Sequence, residues 1–354
     1  MRIPAGAAPP PIAAVDISTA AFVGESATGA PHPPVLVTSA RGLEEAFGAA
    51  RGTLMAAAQH FFANDGRRLY LLGVDDLDAD PGAALAALDD LGDVGLIACP
   101  GHASQAVVEA GAAYCERRAD CFFLADTPAG AGPREARIFV ESLRVRSAFA
   151  ALYFPWLTAP EAMPASGFVA GVYARTDTLH GVWTAPAGRD AVVRGASGVA
   201  RGVRDREQAE LNPLGVNVIR TLEGVGPVVW GARTLASGAG GEWRYVPVRR
   251  TAIFLERSIA EGTSWTVFEP TGEPLWASLR LSISSFLEGQ WRAGAFPADR
   301  SDEAFFVKCD RSTMTQADID AGRVIVVVGF APLRTAEFVI LRFALGAAGG
   351  TDDP

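Results

Sequence analysis

The sequence predicts a mixed α/β protein, in which a mostly parallel α/β domain comes first and an α+β domain follows. Short, continuous apolar runs alternate with segments of helical spacing up to about residue 154, as in parallel sheets that helices cover on both faces. The best amphipathic helix of the second half is predicted at Leu275–Arg292. Two apolar runs, Val324–Gly329 and Glu337–Phe343, predict a pair of strands close to the chain end.

Strands and helices are predicted to alternate along the first domain. Strands are predicted at Val35–Thr38, Arg68–Val74, Val94–Ala98, Cys121–Ala125 and Ala148–Phe154. Helices are predicted at Gly42–Phe47, Leu54–Phe62, Ala83–Leu91, Gln105–Arg118, Pro133–Ser147 and Pro164–Thr178. The Pro- and Gly-rich segment Gly181–Gly198 then predicts a crossover into the second domain.

Composition changes predict four parts of the chain. These are an N-terminal arm or first strand, the α/β domain, the α+β domain and a flexible tail, at residues 1–24, 25–198, 199–345 and 346–354. The arm begins with a Pro-, Ala- and Gly-rich stretch that is expected to be flexible. A candidate strand follows at Ala13–Val23, where Val15, Ile17 and Val23 share one side.

Size and charge exclude several classes of protein. A chain of 354 residues can form two hydrophobic cores, and 49% hydrophobic with 20% charged residues is typical of a globular protein. The formal net charge of −9, without a long basic run, argues against a nucleic-acid partner. We expect no secretory signal and no direct membrane insertion, because no suitable apolar stretch occurs. The four irregularly spaced cysteines predict free thiols.

No complete catalytic, phosphate-binding or metal-binding motif occurs, so we expect no catalytic residue, cofactor or metal ion. One alternative stays open. Cys99, His102 and Asp126 all fall just after predicted strands, where ligands of parallel sheets bind. A thiol, an imidazole and a carboxylate could act as nucleophile, base and orienting acid of an α/β enzyme. The competing interpretation is that Cys99-Pro100-Gly101 is simply a polar turn.

The last predicted strand is apolar on both faces. Phe338 and Ile340 lie on one face, and Val339, Leu341 and Phe343 on the other. Such a strand needs cover on both sides, and a strand at a chain end can complete the sheet of a neighbouring molecule. We therefore predict a subunit-interlocking strand formed by Glu337, Phe338, Val339, Ile340, Leu341, Arg342 and Phe343.

Six blocks of the second half carry a family resemblance. They are Leu211–Arg220, Gly226–Ser237, Trp243–Ile259, Val267–Arg280, Glu303–Asp310 and Ala331–Phe343. In this order and spacing they resemble the C-terminal domain of contractile tail sheath proteins, found in phages and in phage-tail-like contractile injection systems. The resemblance is dense over residues 205–343 and weaker in Ser18–Gly48 and Phe61–Val74.

This resemblance implies a structural, non-enzymatic subunit that polymerises as stacked hexameric rings around an inner tube. It implies that terminal strands of neighbouring subunits share a sheet, and that contraction drives the tube through a target envelope without a cofactor. The partners it implies are further copies of the chain, the inner tube protein, baseplate and terminator or cap proteins, and sheath paralogues. Such a subunit is assembled in the cytoplasm and becomes part of a particle that can be released. The other alternative is an adaptor that binds the sheath without polymerising.

The chain departs from the family pattern at its front. Family members usually open with a Pro-Gly-Val-Tyr-like strand rich in acidic residues, which is missing here. Ala13–Val23 is therefore either an exchanging arm or the first strand of the body. The chain also lacks the large inserted outer domains of many phage sheaths, and so resembles more closely the compact sheaths of injection systems.

A locally basic region predicts a contact with the tube. The resemblance places the C-terminal domain innermost. Residues 280–300 of this domain contain three arginines, Arg280, Arg292 and Arg300, but only two acidic residues, Glu288 and Asp299. We expect these arginines to meet carboxylates of the tube surface. The alternative is that they are solvated or pair within their own subunit.

Overall fold

A computed structural model describes residues 9–25, 33–47, 52–239, 241–332 and 338–345 of the chain. The strands are β1 Ala20–Glu25, β2 Val35–Val37, β3 Leu69–Val74, β4 Leu96–Ala98, β5 Phe122–Asp126, β6 Ala150–Phe154, β7 Leu157–Thr158, β8 Ala162–Met163, β9 Gly198–Val199, β10 Val216–Leu222, β11 Gly226–Val229, β12 Phe305–Lys308, β13 Val324–Phe330 and β14 Val339–Leu345. The helices are α1 Ala40–Phe47, α2 Thr53–Ala63, α3 Pro81–Ala86, α4 Gln105–Arg118, α5 Pro133–Ser142, α6 Ser166–His180, α7 Asp205–Leu211, α8 Val246–Gly262, α9 Glu273–Arg292, α10 Ser301–Ala304 and α11 Gln316–Asp320.

The chain divides into two compact units, and the division falls within α8. The larger unit comprises residues 16–250, and the smaller unit comprises residues 1–15 together with residues 251–354. Among the described residues, no helix has the length and apolar character that crossing a membrane requires.

The larger unit is built on an eight-stranded sheet with the strand order β11-β10-β6-β5-β4-β1-β3-β2. Its inner strands are parallel, whereas the edge strands β2 and β11 are antiparallel to their neighbours. A small antiparallel sheet, β8-β7-β9, belongs to the same unit. The predicted fold class, a parallel-rich α/β domain combined with a separate α+β part, is thus confirmed.

Helices cover both faces of this sheet, which explains its continuous apolar strands. Within β1, Phe22 points to one face and packs its ring 5.7 Å from that of Phe61 in α2. Its neighbour Val23 belongs to the buried cluster of the other face, together with Val107 and Val108 of α4. Adjacent strand residues point to opposite faces, so an apolar residue is favoured at every position of a strand that is covered twice.

The smaller unit contains the antiparallel sheet β12-β13-β14 and helices packed on one of its faces. The β13–β14 register pairs Val324 with Leu345 and Phe330 with Val339. Phe330 lies on the buried face, where its ring is 5.8 Å from that of Phe296. On α9 the buried residues are Leu275, Trp276, Leu279, Ser282, Ile283, Phe286 and Leu287. The apolar residues of this set agree with the amphipathic helix predicted at Leu275–Arg292, whereas Ser282 is a polar residue buried among them.

Ser282 is buried because it holds the N-terminal segment of the smaller unit. Its hydroxyl donates to the carbonyl of Pro10 at 3.0 Å, and the N–H of Val15 donates to Ser258 Oγ of α8 at 3.2 Å. Residues 9–15 carry no regular secondary structure. Residues 9–15 of the N-terminal arm therefore lie along α8 and α9 and do not form a sheet strand.

Two boundaries differ from those that the sequence predicts. The second domain is predicted to begin at residue 199. However, β10 pairs with β6, so residues well beyond 199 still belong to the large sheet. The predicted strand Ala13–Val23 is shortened to β1, which contains Val23 and lies between β3 and β4. Ile17 is buried ahead of this strand, and its carbonyl accepts from Arg250. The positions of Val23 and Ile17 thus agree better with a first strand of the body than with an exchanging arm.

Candidate functional site

The predicted interlocking strand forms β14, at one edge of the small antiparallel sheet. It pairs with β13, and no strand among the described residues pairs with its other edge. Val339, Leu341 and Phe343 are buried on the inner face. Phe338 and Ile340 are 38% and 46% exposed, so their face is left uncovered by the smaller unit. Glu337 lies outside the described residues.

The uncovered face of β14 continues across the neighbouring strands as an apolar patch, which we call the outer sheet face. It consists of Phe306, Val327, Phe338 and Ile340, with Lys308 and Arg342 beside them. Phe306 and Phe338 meet edge to face, with ring centroids 5.2 Å apart. The Phe306 ring covers Gly329, where an added methyl group would lie 2.1 Å from a ring atom. Lys308, Val327 and Arg342 occupy matching positions across the three strands.

The structure shows this strand in the sheet of its own chain. It pairs with β13 and buries alternate side chains, so the smaller unit itself covers one of the two apolar faces of this strand. Donation to a neighbouring subunit stays a prediction. The described residues offer such a neighbour the outer sheet face and an edge of β14 with which none of them pairs as a strand.

The three predicted tube-facing arginines each have a carboxylate partner close in sequence. Arg280 donates to Glu273 at 2.7 Å and to the carbonyl of Cys309. Arg292 pairs with Glu288 at 2.9 Å, and Arg300 with Asp302 at 2.6 Å. Glu273 and Asp302 lie just outside the stretch in which the sequence shows excess positive charge. The tube contact stays a prediction, but these guanidinium groups carry less unbalanced charge than the sequence suggests.

The alternative catalytic residues Cys99, His102 and Asp126 lie near the carboxyl ends of β4 and β5. Their side chains do not form a catalytic arrangement. Among the described residues, no hydrogen bond joins Cys99 to the His102 side chain. His102 Nε2 accepts from the N–H of Glu25 at 3.5 Å, and its Nδ1 lies 3.8 Å from Asp78. Cys99 is buried, and burial raises the pKa of its thiol far above the ordinary value. Formation of a thiolate nucleophile is therefore unfavourable.

Asp126 instead ties the start of α6 to the loop after β4. Its carboxylate accepts from the Ser166 N–H at 2.8 Å, the Ser166 hydroxyl at 2.6 Å and the Gly101 N–H at 3.2 Å. Burial raises the pKa of Asp126 to about 6, although these hydrogen bonds favour the charged form. Ser166 could not be identified as its partner from the sequence, because forty positions separate the two residues.

We expect Cys99→Ala and His102→Ala variants to assemble, and to support particle function in cells, as the unsubstituted chain does. The reason is that neither side chain forms a nucleophile–base pair. Sedimentation of the assembled protein and a particle-activity assay measure the two outcomes. Normal assembly combined with loss of particle activity would instead favour the enzyme interpretation.

We expect Asp126→Asn to remove a pH dependence of stability. The pKa of Asp126 is raised in the folded chain, so its favourable contribution is present below the unfolded value of 3.8 and is lost as pH rises through about 6. Between pH 4 and pH 7 the unsubstituted chain should lose about 2 kcal/mol of unfolding free energy relative to the variant. Urea denaturation of both proteins at several pH values measures this difference, and parallel profiles would contradict it.

A buried ion pair that the sequence does not reveal joins α6 to the first part of α8. Arg250 donates to the two carboxylate oxygens of Asp177 at 2.7 and 2.6 Å, and their side chains are only 1% and 8% exposed. The guanidinium also lies 4.9 Å from the ring centre of Tyr173, whose hydroxyl is 2.6 Å from that of Tyr153. Burial lowers the pKa of Arg250, but the charge and hydrogen bonds of Asp177 more than offset this, so the pKa lies above its ordinary value.

Comparisons of sequence and of structure with known proteins agree with each other. The phage tail sheath protein central domain matches residues 78–235, and the phage tail sheath C-terminal domain matches residues 239–346. The two matched ranges together cover more than half of the chain. The tail sheath protein of Vibrio phage KVP40 is 24% identical over 60% of this chain and 32% of its own length. The chain thus spans about a third of that phage protein.

Solved structures match over nearly the whole chain. A protein in the contracted helical sheath of the anti-feeding prophage is 35% identical, with a TM-score of 0.78, over 97% of this chain and 98% of its own. A protein in the six-fold symmetrised baseplate structure of the same system is 32% identical, with a TM-score of 0.77, over 100% of this chain and 98% of its own.

Proposed function

The chain belongs to the phage tail sheath family, and from this premise we propose that it is a structural subunit of a contractile sheath. The observation that carries the proposal is the end-to-end similarity to a protein of a contracted helical sheath. The outer sheet face adds a physical reason for assembly, since a free strand edge beside exposed apolar side chains is a surface that another chain can cover.

The proposed assembly is a helical stack of hexameric rings around an inner tube. The similar proteins come from structures described as a helical sheath and a six-fold symmetrised baseplate, which supports both the symmetry and the setting. The partners are then further copies of the chain, the inner tube protein, baseplate and terminator or cap proteins, and sheath paralogues. Similarity over nearly the whole length of proteins from the anti-feeding prophage, compared with about a third of the Vibrio phage protein, favours a phage-tail-like particle assembled in the cytoplasm.

In this proposal β14 and the outer sheet face link neighbouring subunits. Covering a side chain such as Phe338 or Ile340 completely is worth about 1.5–3 kcal/mol, and only the exposed part of each is available. Each backbone hydrogen bond along the free edge of β14 adds about 0.5–1.5 kcal/mol. The entropy lost on association reduces the sum. One such link is weak, but a ring repeats it for every subunit, and the link can persist while the subunits reorient.

Electron microscopy of the purified chain, with and without the inner tube protein, tests the proposal. Rings or helical tubes are the expected result, and sedimentation then measures the fraction of protein that they contain. A protein that remains a monodisperse globular particle in both conditions would contradict the sheath function and favour a non-polymerising adaptor.

A further inference from the structure

Two cysteine thiols face each other at the end of α4. Cys115 lies in the last turn of this helix, and Cys121 directly precedes β5. Their sulfur atoms are 3.4 Å apart, and both side chains are fully buried. Cys99 and Cys309 are also free thiols, but neither has a second sulfur as a partner among the described residues. The chain therefore places one pair of its thiols close enough to react with each other.

Several hydrogen bonds stabilise the turn between the two cysteines. Ala119 adopts a left-handed conformation, and its N–H donates to the carbonyl of Cys115 at 2.9 Å. The Arg118 guanidinium pairs with both carboxylate oxygens of Asp120 at 2.8 and 2.9 Å. It also donates to the carbonyls of Leu88 and Leu91, each at 3.0 Å. These bonds stabilise the closed turn, in which the two sulfur atoms face each other.

We propose that Cys115 and Cys121 form an oxidation site, which a small-molecule disulfide converts into an intramolecular disulfide bond. The thiolate of one cysteine attacks a sulfur of the oxidant, forms a mixed disulfide and releases one thiolate. The second cysteine thiolate then attacks the protein sulfur of the mixed disulfide and expels the second thiolate. Two cysteine thiols are oxidised, one oxidant disulfide is reduced to two thiols, and the two cysteine protons are transferred to the departing thiolates.

Burial makes the first step depend on a local opening of the protein. Burial raises the pKa of the Cys115 thiol well above its ordinary value, and the neighbouring Cys121 sulfur raises it further. Glu116, Arg117 and Ala119 are exposed, so fraying of the last turn of α4 admits the oxidant without unfolding of the sheet. Once one sulfur has reacted, the other is held next to it, and ring closure is intramolecular and fast.

The test is oxidation of the folded, full-length chain with oxidised glutathione, followed by denaturation in N-ethylmaleimide and mass measurement. The expected product carries two maleimide groups, whereas the reduced chain, which has four cysteines, carries four. Trypsin cleaves after Arg117 and Arg118, between the two cysteines. A disulfide therefore links two tryptic peptides, one ending at Arg117 and one beginning at Ala119, and reduction separates them.

Matched variants identify the sulfur atoms that take part. A Cys99→Ser and Cys309→Ser double variant keeps the pair and should give the same linked peptides. A Cys115→Ser variant should give no linked peptide. Persistent labelling of all four thiols in the oxidised chain would overturn the proposal. Stable glutathione adducts without the internal link, or a link through Cys99 or Cys309, would also overturn it.

Discussion

An Asp177→Ala variant is expected to lose about 3–5 kcal/mol of unfolding free energy, because it leaves the guanidinium of Arg250 buried without its carboxylate partner. The remaining contacts, to the carbonyl of Ile17 at 3.3 Å and to the Tyr173 ring, do not replace a bidentate carboxylate. Guanidinium chloride denaturation of the purified chain measures the loss, provided that the unfolding transition is two-state.

Two controls separate the buried charge from the loss of atoms. A combined Asp177→Leu and Arg250→Met variant removes both charges and keeps much of the volume, so it should be more stable than Asp177→Ala alone. Glu288→Ala breaks the exposed pair with Arg292, and its effect should be within about 1 kcal/mol. If Asp177→Ala behaved like Glu288→Ala, the buried pair would have no special part in stability.

A combined Phe338→Asp and Ile340→Asp variant is expected to remain folded but to fail to form rings or tubes. Both side chains are partly exposed in the single chain, so folding loses little, whereas two carboxylates on the outer sheet face prevent its burial against another subunit. Circular dichroism checks the fold, and sedimentation with electron microscopy checks assembly. Substitution is preferable to deletion of β14, because deletion also removes the buried residues Val339, Leu341 and Phe343.

Ile138→Asp is the matched control for this variant. Ile138 is an apolar residue of α5 and is 54% exposed, but it lies outside the smaller unit and its outer sheet face. It should assemble as the unsubstituted chain does if the effect is specific to the outer sheet face. Normal tubes from the Phe338→Asp and Ile340→Asp variant would show that this face is not a contact between subunits. Loss of assembly in both variants would show only that added charge is harmful.

Much of the fold could be predicted from local sequence patterns. Continuous apolar runs such as Cys121–Ala125 and Ala148–Phe154 identify β5 and β6 as doubly covered strands, and helical spacing identifies α4 and α9. Side-chain periodicity depends only on neighbouring residues, so it can be read along the chain. Helix ends were less accurate: α3 ends at Ala86 and α5 at Ser142, both several residues before the predicted ends.

The candidate sites depended more on contacts between distant residues. The sequence located the apolar strand at Glu337–Phe343, but it could not show that β14 buries one face against its own chain. It likewise suggested a basic surface at Arg280, Arg292 and Arg300, but the carboxylates that pair with Arg280 and Arg300 lie outside residues 280–300. Charge along a sequence does not report which side chains meet in space.

The sequence by itself determined that this chain has doubly covered parallel strands, an apolar terminal strand and the blocks typical of tail sheath proteins. Only the tertiary structure decided that β1 lies between β3 and β4, that β10 extends the large sheet, and that Arg250 meets Asp177. The physical reason is that periodicity specifies which face of an element is apolar. Strand order and side-chain partners depend instead on how many distant segments pack together at once.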